Sequence, residues 1–507
     1  MHVHSFTVYD VLVRNAGCHP GRPAVVTEDG DTVTFTRLLE RVDALATGLA
    51  GAGLGKGDRV LVIAQNSVAY FELYFACARQ GIVPYPLNWR LSADEVARSC
   101  VRARPRALVI DEAYHEVLPG DGAGLEGVTL KAQLDGNPPD GWIGFDRLRS
   151  PEATAERPEV AADEPFAIIP TAAVDVIPRG AVLTHTNVVT ANLQTAAAMN
   201  LVPADGNLLA LPLFHIAALG SGLAVMQAGG QNVVMPRFDP AEAVRLIDAH
   251  GLTFISDFPP VLVSVLDQAK EQGSDLPSLR IVNGLDSPDT IERLHAETGA
   301  DFWSGFGQTE TTGWVTLQRF RDRPGAAGVP GPACRVRVVD DYDRDVPPGT
   351  AGEILARGPT VFHGYFDQPE VNEHTFRGGW HHTGDVGRFD TDGYLHYVKR
   401  KPEKDLIKPG GENVYPAEVE TTIMELPEAS GVCVFGVPDR KWGEGIMAVV
   451  ETAGDLSAAQ VVDHVGSRIA RFKRPQHVAF TDSLPRDESG AVDREAVKAK
   501  WAETVSG

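Results

Sequence analysis

Residues 171–180 hold the position of a phosphate-binding loop but lack most of what such a loop needs. They follow an apolar run at 166–169 that predicts a buried strand, and residues 181–189 lead into a helical pattern. Strand, loop and helix in this order are typical of a polyphosphate site. Such a loop points backbone N–H groups inward and relies on glycine for that geometry, yet only Gly180 remains here and Thr171 is the last hydroxyl.

Asp175 places a fixed negative charge in the middle of this segment, and Arg179 stands near its end. Two like charges about 4 Å apart repel by about 1 kcal/mol in water and about 4 kcal/mol near a protein surface. Thr171, Asp175 and Arg179 therefore mark a degenerate phosphate site, which we expect to disfavour a triphosphate.

Composition limits the kinds of protein that this chain can be. Its 507 residues are too many for one ordinary domain. With 46 Lys and Arg against 68 Asp and Glu, the net charge of −22 argues against nucleic-acid binding. The run 208–235 is broken by proline, histidine and glycine, so it predicts a buried helix and strand and no membrane segment. Five scattered cysteines and a start without a secretory pattern predict a cytoplasmic location. Nothing in the sequence signals an oligomeric state.

Alternation of strand-like and helix-like runs predicts a parallel α/β architecture in the first part of the chain. The clearest runs are 59–63, 69–79 and 82–86. Residues 113–163 are rich in Gly, Pro and acidic residues and predict irregular surface structure.

Short runs between residues 328 and 397 alternate with turn residues and predict a small antiparallel subdomain. The basic run that begins at Lys399 predicts a junction, which divides the chain into domains 1–398 and 399–507.

Six separated motifs occur in one order, and together they resemble a known superfamily. They are Pro-Leu-Phe-His at 212–215, Gly-Phe-Gly-Gln-Thr-Glu at 305–310, Gly-Glu at 352–353, Trp-His-His-Thr-Gly-Asp at 380–385, Asp-Gly-Tyr at 392–394, and the lysine- and glycine-containing run 404–416. Over nearly the whole chain they resemble the adenylate-forming (ANL) superfamily of acyl-CoA synthetases, luciferases and peptide-synthetase adenylation domains. The resemblance implies an α/β fold, with a large N-terminal domain of two α/β subdomains plus a small β subdomain, and a small mobile α+β C-terminal domain.

The resemblance also implies a reaction in two halves. A carboxylate attacks ATP to give an acyl-adenylate, and the C-terminal domain then rotates so that the thiol of coenzyme A displaces AMP. Asp385 matches the carboxylate that binds the ribose hydroxyls, and Phe306 matches the ring that stacks on adenine; a turn cap and core packing are their alternative roles. The other residues of the implied adenylate site are Gly284, Gly307, Gln308, Thr309 and Arg400.

His215 matches the position that gates the carboxylate between the acyl pocket and the thiol channel, and a purely structural role is its alternative. Ile216, Trp303 and Gly305 complete the expected acyl pocket, which indicates an apolar acid of some bulk. Glu310 matches the superfamily's Mg²⁺ ligand, a role that a site without a triphosphate would no longer need.

Coenzyme A is the implied co-substrate. Gly410 and Gly411 match a loop that closes on the pantetheine arm, where missing side chains allow close approach; a simple turn would need the same glycines. Lys473 and Arg474 are expected donors to the phosphates of coenzyme A, unless they only solvate a helix end. The full set expected to bind coenzyme A is Lys408, Gly410, Gly411, Glu412, Lys473 and Arg474. Lys404 is the best match to the hinge, so the predicted catalytic residues are His215, Lys404 and Gly411.

Two further positions depart from the superfamily. A lysine near the C-terminus normally reaches the reacting carboxylate and the α-phosphate during adenylation, and Ala491 stands in its place, with Arg494 as the nearest basic candidate. Such an electrostatic donor is typically worth about 3 to 4 kcal/mol in the transition state. Residues 283–288 also differ from the small-residue turn that the superfamily places beside adenine.

The degenerate loop and Ala491 both concern the first half-reaction, whereas Asp385 and the Gly410 loop concern AMP recognition and the second. The sequence therefore predicts a ligase that has lost adenylation, accepts an acyl-adenylate from a separate adenylating homologue, and releases acyl-CoA and AMP. The alternatives are a complete ATP-dependent carboxylate–CoA ligase, a non-catalytic scaffold that binds adenylate or coenzyme A, and acyl transfer to an amine.

Overall fold

Helices and strands alternate along most of the chain. The computed structural model describes residues 4–150, 156–171, 179–401, 406–487 and 490–502. Its helices are α1 (Val8–Cys18), α2 (Phe35–Gly51), α3 (Val68–Gln80), α4 (Ala93–Ala103), α5 (His185–Ala198), α6 (Ile216–Ala228), α7 (Pro240–His250), α8 (Val261–Gln272), α9 (Pro288–Glu297), α10 (Pro369–Thr375), α11 (Pro416–Ile423), α12 (Ala458–Arg468) and α13 (Arg494–Trp501).

The strands of the same ranges fall into five sheets. They are β1 (Pro23–Thr27), β2 (Thr32–Thr34), β3 (Arg59–Ile63), β4 (Val83–Pro86), β5 (Ala107–Ile110), β6 (Leu130–Gln133), β7 (Ile143–Gly144), β8 (Pro165–Thr171), β9 (Arg179–Thr184), β10 (Gly206–Leu209), β11 (Gln231–Val234), β12 (Phe254–Asp257), β13 (Ile281–Gly284), β14 (Asp301–Gln308), β15 (Gly313–Arg319), β16 (Val329–Pro330), β17 (Arg335–Val339), β18 (Gly352–Arg357), β19 (Gly364–Tyr365), β20 (His381–Phe389), β21 (Leu395–Arg400), β22 (Gly431–Asp439), β23 (Gly443–Glu451) and β24 (His477–Thr481).

The largest sheet has the strand order β16-β15-β14-β13-β12-β10-β11-β1-β2. Its strands from β14 to β1 run parallel, and β15, β16 and β2 add antiparallel edges. Apolar residues of α7, α8 and α9 cover one face, and those of α6 cover the other. The helix and strand predicted within 208–235 are confirmed as α6 and β11, and the carboxyl ends of the parallel strands meet at one edge, where ligands commonly bind.

A second, parallel sheet has the order β4-β3-β5-β6-β7, which confirms the predicted α/β alternation. The prediction that 113–163 is irregular is wrong in part, because β6 and β7 add two strands to this sheet. Leu130 and Ala132 of β6 are buried, and this short alternating run was masked in the sequence by its Gly- and Pro-rich flanks.

The degenerate phosphate segment joins two antiparallel strands. Thr171 at the end of β8 pairs with Arg179 at the start of β9, and β19 extends the same small sheet. The predicted order of strand, loop and helix is therefore wrong: the segment connects a β-hairpin, and α5 begins only after β9 at His185. Both arrangements give the same local sequence pattern, because the pairing of β9 depends on partners elsewhere in the chain. Asp175 lies outside the described residues.

The predicted antiparallel subdomain is confirmed as the sheet β17-β18-β20-β21. Strand β21 continues through Lys399 and Arg400, so the proposed domain boundary falls inside a strand. Residues 406–502, here called the C-terminal unit, hold the sheet β22-β23-β24 and a core shared with α11 and α12. This is the expected α/β fold with a small α+β unit after the large one.

All five cysteines lie in the described ranges and are free thiols. In the same part of the chain, no helix combines the length and apolar character needed to cross a bilayer.

Candidate active site

A cavity of about 440 Å³ opens between the large sheet, α5, α6 and the C-terminal unit. One wall comes from α5 and α6, a second from the ends of β12, β13 and β14, and a third part of the lining from Arg400, Leu406 and Lys408. The cavity brings together most of the motifs that the sequence singled out. These are His215, Ile216, Gly284, Gly305, Phe306, Gly307, Gln308, Thr309, Glu310, Asp385, Arg400 and Lys408.

Asp385 is held at the cavity by neighbours on two strands. Gln308 donates a hydrogen bond from Nε2 to Asp385 Oδ2 and another, 3.0 Å long, to the carbonyl of Thr383. Tyr397 donates to Asp385 Oδ1 at 3.4 Å, and its ring stacks on Phe306 with centroids 6.4 Å apart. The carboxylate thus faces the cavity with fixed orientation, which is what a group that accepts from a ribose diol requires.

Glu310 lies beside the start of the phosphate segment. Its Oε1 accepts hydrogen bonds of 2.9 Å from the hydroxyls of Thr171 and Tyr365, and the guanidinium of Arg179 stands 5.2 Å from the Tyr365 ring. Among the described residues no three acidic, His or Cys side chains cluster as a metal site. One carboxylate with a hydroxyl beside it still suits Mg²⁺, which binds through few protein oxygens and through substrate phosphates.

His215 caps α6 and lines the cavity. Its Nδ1 accepts a 3.1 Å hydrogen bond from the backbone N–H of Ala217, which leaves the ring proton on Nε2. Burial, and then the positive charge of Lys408, lower the pKa of His215 to about 4. The imidazole is therefore neutral at physiological pH and offers the cavity a hydrogen-bond donor, not a base. Phe258 packs against it edge to face at 6.1 Å.

Trp303 does not line the cavity, which corrects its predicted place in the acyl pocket. It packs against Met199, Leu201 and Leu317 in a cluster between β15 and the ends of α5 and α6. Apolar side chains of α6, among them Leu219 and Leu223, form the wall instead. Side chains of β14 alternate between the two faces of the sheet, and the sequence alone does not show which face borders the cavity.

The turn Pro409–Gly411 presses the C-terminal unit against the loop after β12. Gly410 and Gly411 have φ values of 57° and 82°, a region that favours glycine. A Cβ on Gly411 would lie 3.0 Å from Cγ of Phe258, and one on Gly410 would lie 2.9 Å from Cε3 of Trp442. The two glycines therefore serve a close approach to Phe258 and Trp442, and their predicted contact with the pantetheine arm stays a prediction.

Two residues expected to bind coenzyme A have other partners. Lys473 is 4% exposed, and its Nζ lies 2.5 Å from Glu95 and 2.8 Å from Glu418. Burial alone would lower the pKa of Lys473, but the two carboxylates outweigh it and raise that pKa. Glu412 accepts hydrogen bonds from Asn88 and Arg90 of the N-terminal part. Both side chains join the two parts of the molecule, so their assignment to coenzyme A does not fit this arrangement.

The residues near the C-terminus that the sequence connected with the adenylation step lie outside the cavity. Ala491 is exposed in a turn closed by Asp487 and lies away from the cavity. One guanidinium nitrogen of Arg494 donates to both carboxylate oxygens of Glu420, at 2.5 and 2.6 Å, so Arg494 is not a substitute for the missing lysine. Arg474 is half-buried in the C-terminal unit. Lys404 lies outside the described residues.

The structure adds three residues that sequence reasoning missed. Tyr365 and Tyr397 orient Glu310 and Asp385, and Glu95 receives Lys473. Tyr397 follows the Asp-Gly-Tyr motif on β21, so pairing of β20 with β21 was the available signal for it. Glu95 gave no signal except its capping position in α4.

Comparison with known proteins identifies the family to which this chain belongs. Residues 12–366 match the AMP-binding enzyme model, and residues 418–491 match the model of the AMP-binding enzyme C-terminal domain. An indoleacetate–CoA ligase of Aromatoleum aromaticum is 33% identical over 496 residues, with 96% of each chain covered.

Two solved complexes of the o-succinylbenzoate CoA synthetase of Bacillus subtilis, each 27% identical, cover 98% of this chain and 99% of theirs. The TM-score is 0.83 for a double mutant bound to the product analogue OSB-NCoA and 0.70 for the complex with the acyl-adenylate intermediate OSB-AMP. The chain belongs to the AMP-binding enzyme family of the adenylate-forming (ANL) superfamily.

Proposed function

We propose that this protein is an acyl-CoA ligase that joins the acyl group of an acyl-adenylate to the thiol of coenzyme A. The observation that carries the proposal is one continuous cavity, which is lined by apolar residues of α6, by His215 and the oriented Asp385, and by Arg400 and Lys408. An acyl group, an AMP moiety and an entering thiol thus have adjacent places. The higher TM-score to the product-analogue complex supports an arrangement suited to thioester formation.

The chemistry of this step asks mainly for orientation. The thiol loses its proton to solvent, and the thiolate sulfur attacks the acyl carbon. A carbon–sulfur bond forms, and the bond from the acyl carbon to the phosphate oxygen breaks so that AMP leaves with the electron pair. When the site holds the thiol and the acyl carbon in line, the entropy cost of bringing two reactants together is met on binding and no longer adds to the barrier of the reaction. His215, as a neutral donor, suits the carbonyl oxygen on which negative charge develops.

We further propose that the ATP-dependent half-reaction is lost and that a separate homologue supplies the acyl-adenylate. Ala491 in place of the lysine and Asp175 in the phosphate segment support this step. In such a division of labour the chain resembles the non-adenylating acyl-CoA ligase of platensimycin and platencin biosynthesis. The second candidate is the complete ATP-dependent ligase, which is favoured by relatives named as CoA ligases and by the suitability of Glu310 and Thr171 for Mg²⁺.

One experiment separates these candidates. The purified protein is given preformed acyl-adenylates with coenzyme A, and in parallel the free acids with ATP, Mg²⁺ and coenzyme A. We expect thioester from the adenylates and pyrophosphate release at least about 100-fold slower, as loss of one electrostatic donor predicts. Pyrophosphate release as fast as thioester formation would overturn the loss of adenylation. Absence of thioester from every adenylate would overturn the ligase proposal and favour a scaffold.

A further inference from the structure

Two polar side chains stand side by side on the cavity wall that the ends of β12 and β13 form, opposite the apolar residues of α6, and Ser304 of β14 adds a third unpaired hydroxyl to the cavity lining. Ser256 and Asn283 are Cα partners on the neighbouring parallel strands β12 and β13, and both line the cavity. They are 5% and 7% exposed. Ser256 Oγ and Asn283 Oδ1 have no hydrogen-bond partner among the residues that the structure describes. Burial of an unpaired polar atom is unfavourable, so a pair of them facing a cavity points to a ligand.

Although the resemblance places residues 283–288 beside adenine, the side chain of Asn283 lies on the α6 side of the sheet, as that of Ser256 does. Side chains alternate between the two faces of a strand, so Ser256 shares a face with Phe254, and Asn283 shares that face with Ile281. Phe254 and Ile281 pack in one cluster with residues of α6. The same helix presents Ile216, Leu219 and Leu223 to the cavity. The two polar groups therefore lie on the side of the sheet where the acyl chain is expected.

We infer that the acyl substrate is a bulky, mainly apolar carboxylic acid that carries a hydroxyl group, which Ser256 and Asn283 recognise. Neighbouring strands lie about 4.8 Å apart, so one hydroxyl can reach both side chains. Its O–H donates to Asn283 Oδ1, and its oxygen accepts from the hydroxyl of Ser256. Because a hydroxyl is both donor and acceptor, it matches either orientation of the amide, whereas a ketone or ether oxygen can only accept. This inference rests on the proposed ligase function.

The test compares matched acyl-adenylates as substrates for thioester formation. The panel is cinnamoyl-adenylate with its 2-, 3- and 4-hydroxy derivatives, and adamantane-1-carboxyl-adenylate with its 3-hydroxy derivative. We expect at least one hydroxylated compound to exceed its parent by 10-fold or more in kcat/KM, because a site built to bind a hydroxyl rejects the analogue without it. Ser256→Ala and Asn283→Leu should each reduce that ratio to below about 3 while the parent compound is still converted.

Ser221→Ala is the matched control. Ser221 lines the same cavity, but its hydroxyl already donates to the carbonyl of Ala218 at 3.0 Å, so its removal should leave the hydroxyl preference intact. Equal rates for every parent and derivative would overturn the inference and leave the ligase proposal standing. A preference that survives in both Ser256→Ala and Asn283→Leu would show that other residues read the hydroxyl. No thioester from any member would overturn the proposed function itself.

Discussion

Asp385 is the residue on which recognition of the AMP moiety should depend most. Its two carboxylate oxygens accept from Gln308 and Tyr397, so the side chain is fixed before a ligand arrives. We expect Asp385→Ala to lower kcat/KM for acyl-adenylate by about 10- to 100-fold, the cost of one or two charge-assisted hydrogen bonds. The measurement is the steady-state rate of thioester formation. Asp392→Ala removes an exposed carboxylate between β20 and β21 and serves as the control, which should react like the wild type. Wild-type kinetics in Asp385→Ala would contradict the role of Asp385 in AMP recognition.

Gly411 tests whether close packing of the turn matters for the thiol step. A Cβ there would stand 3.0 Å from Phe258 on a backbone with φ of 82°, so alanine adds both contact and strain. We expect Gly411→Ala to slow thioester formation at least 10-fold while the melting temperature changes little. Gly393→Ala is the control for strain alone, because Gly393 has φ of 84° with open space around its Cβ position. Equal losses in the two variants would refute a role for the contact with Phe258.

At the scale of elements, a buried ion triad joins α4 to the C-terminal unit. Lys473 bridges Glu95 of α4 and Glu418 of α11, and the backbone N–H of Ala470 also donates to Glu95 at 3.0 Å. Removal of one member of such a group leaves charges buried without compensation, at a typical cost of about 3 to 5 kcal/mol.

We expect Lys473→Met to weaken the docking of the C-terminal unit and to slow thioester formation from acyl-adenylate by 10-fold or more. Thermal unfolding and activity should fall together, and a double-mutant cycle with Glu95→Gln should give a coupling energy well above 0.5 kcal/mol. Arg471→Ala, at an exposed position of the same turn, serves as the control. Wild-type activity in Lys473→Met would show that this contact does not support the reaction.

The same elements show what sequence reasoning could reach. Strands β3 and β4 and helix α6 were accessible from the pattern of apolar residues, and the grouping of Phe306 with Asp385 was accessible from the ordered motifs. The hairpin of β8 and β9 was not accessible, because nothing in the local sequence indicates that these two strands pair with each other. Lys473 and Glu95 lie 378 positions apart, so a surface donor and a buried bridge look alike in the sequence. The unpaired Ser256 and Asn283 became meaningful only when the register of β12 and β13 was known.

At the scale of the whole molecule, three described contacts join its two parts. The turn Pro409–Gly411 rests on the loop after β12, Glu412 reaches Arg90, and Lys473 reaches Glu95. Ala491 is on the surface of the C-terminal unit, away from the cavity. A rotation that brought residue 491 to the cavity would have to break the Lys473 triad.

Stability of the whole fold should depend on pH through His185, the first residue of α5, which is fully buried. Burial lowers its pKa to about 4, and Asp10 offsets that shift only in part. The unfolded chain then binds a proton near pH 6.5 that the folded chain refuses until about pH 4, so the free energy of unfolding should fall by up to about 3 kcal/mol as pH drops through that window. Burial raises the pKa of Asp111 to about 7, which acts in the opposite direction, so wild type must be compared with His185→Gln. In urea unfolding measured from pH 7 to pH 4, the free energy of unfolding should fall less in His185→Gln than in the wild type. His374→Gln, at an exposed site, is the control and should follow the wild type. The same pH dependence in all three proteins would contradict the buried neutral imidazole.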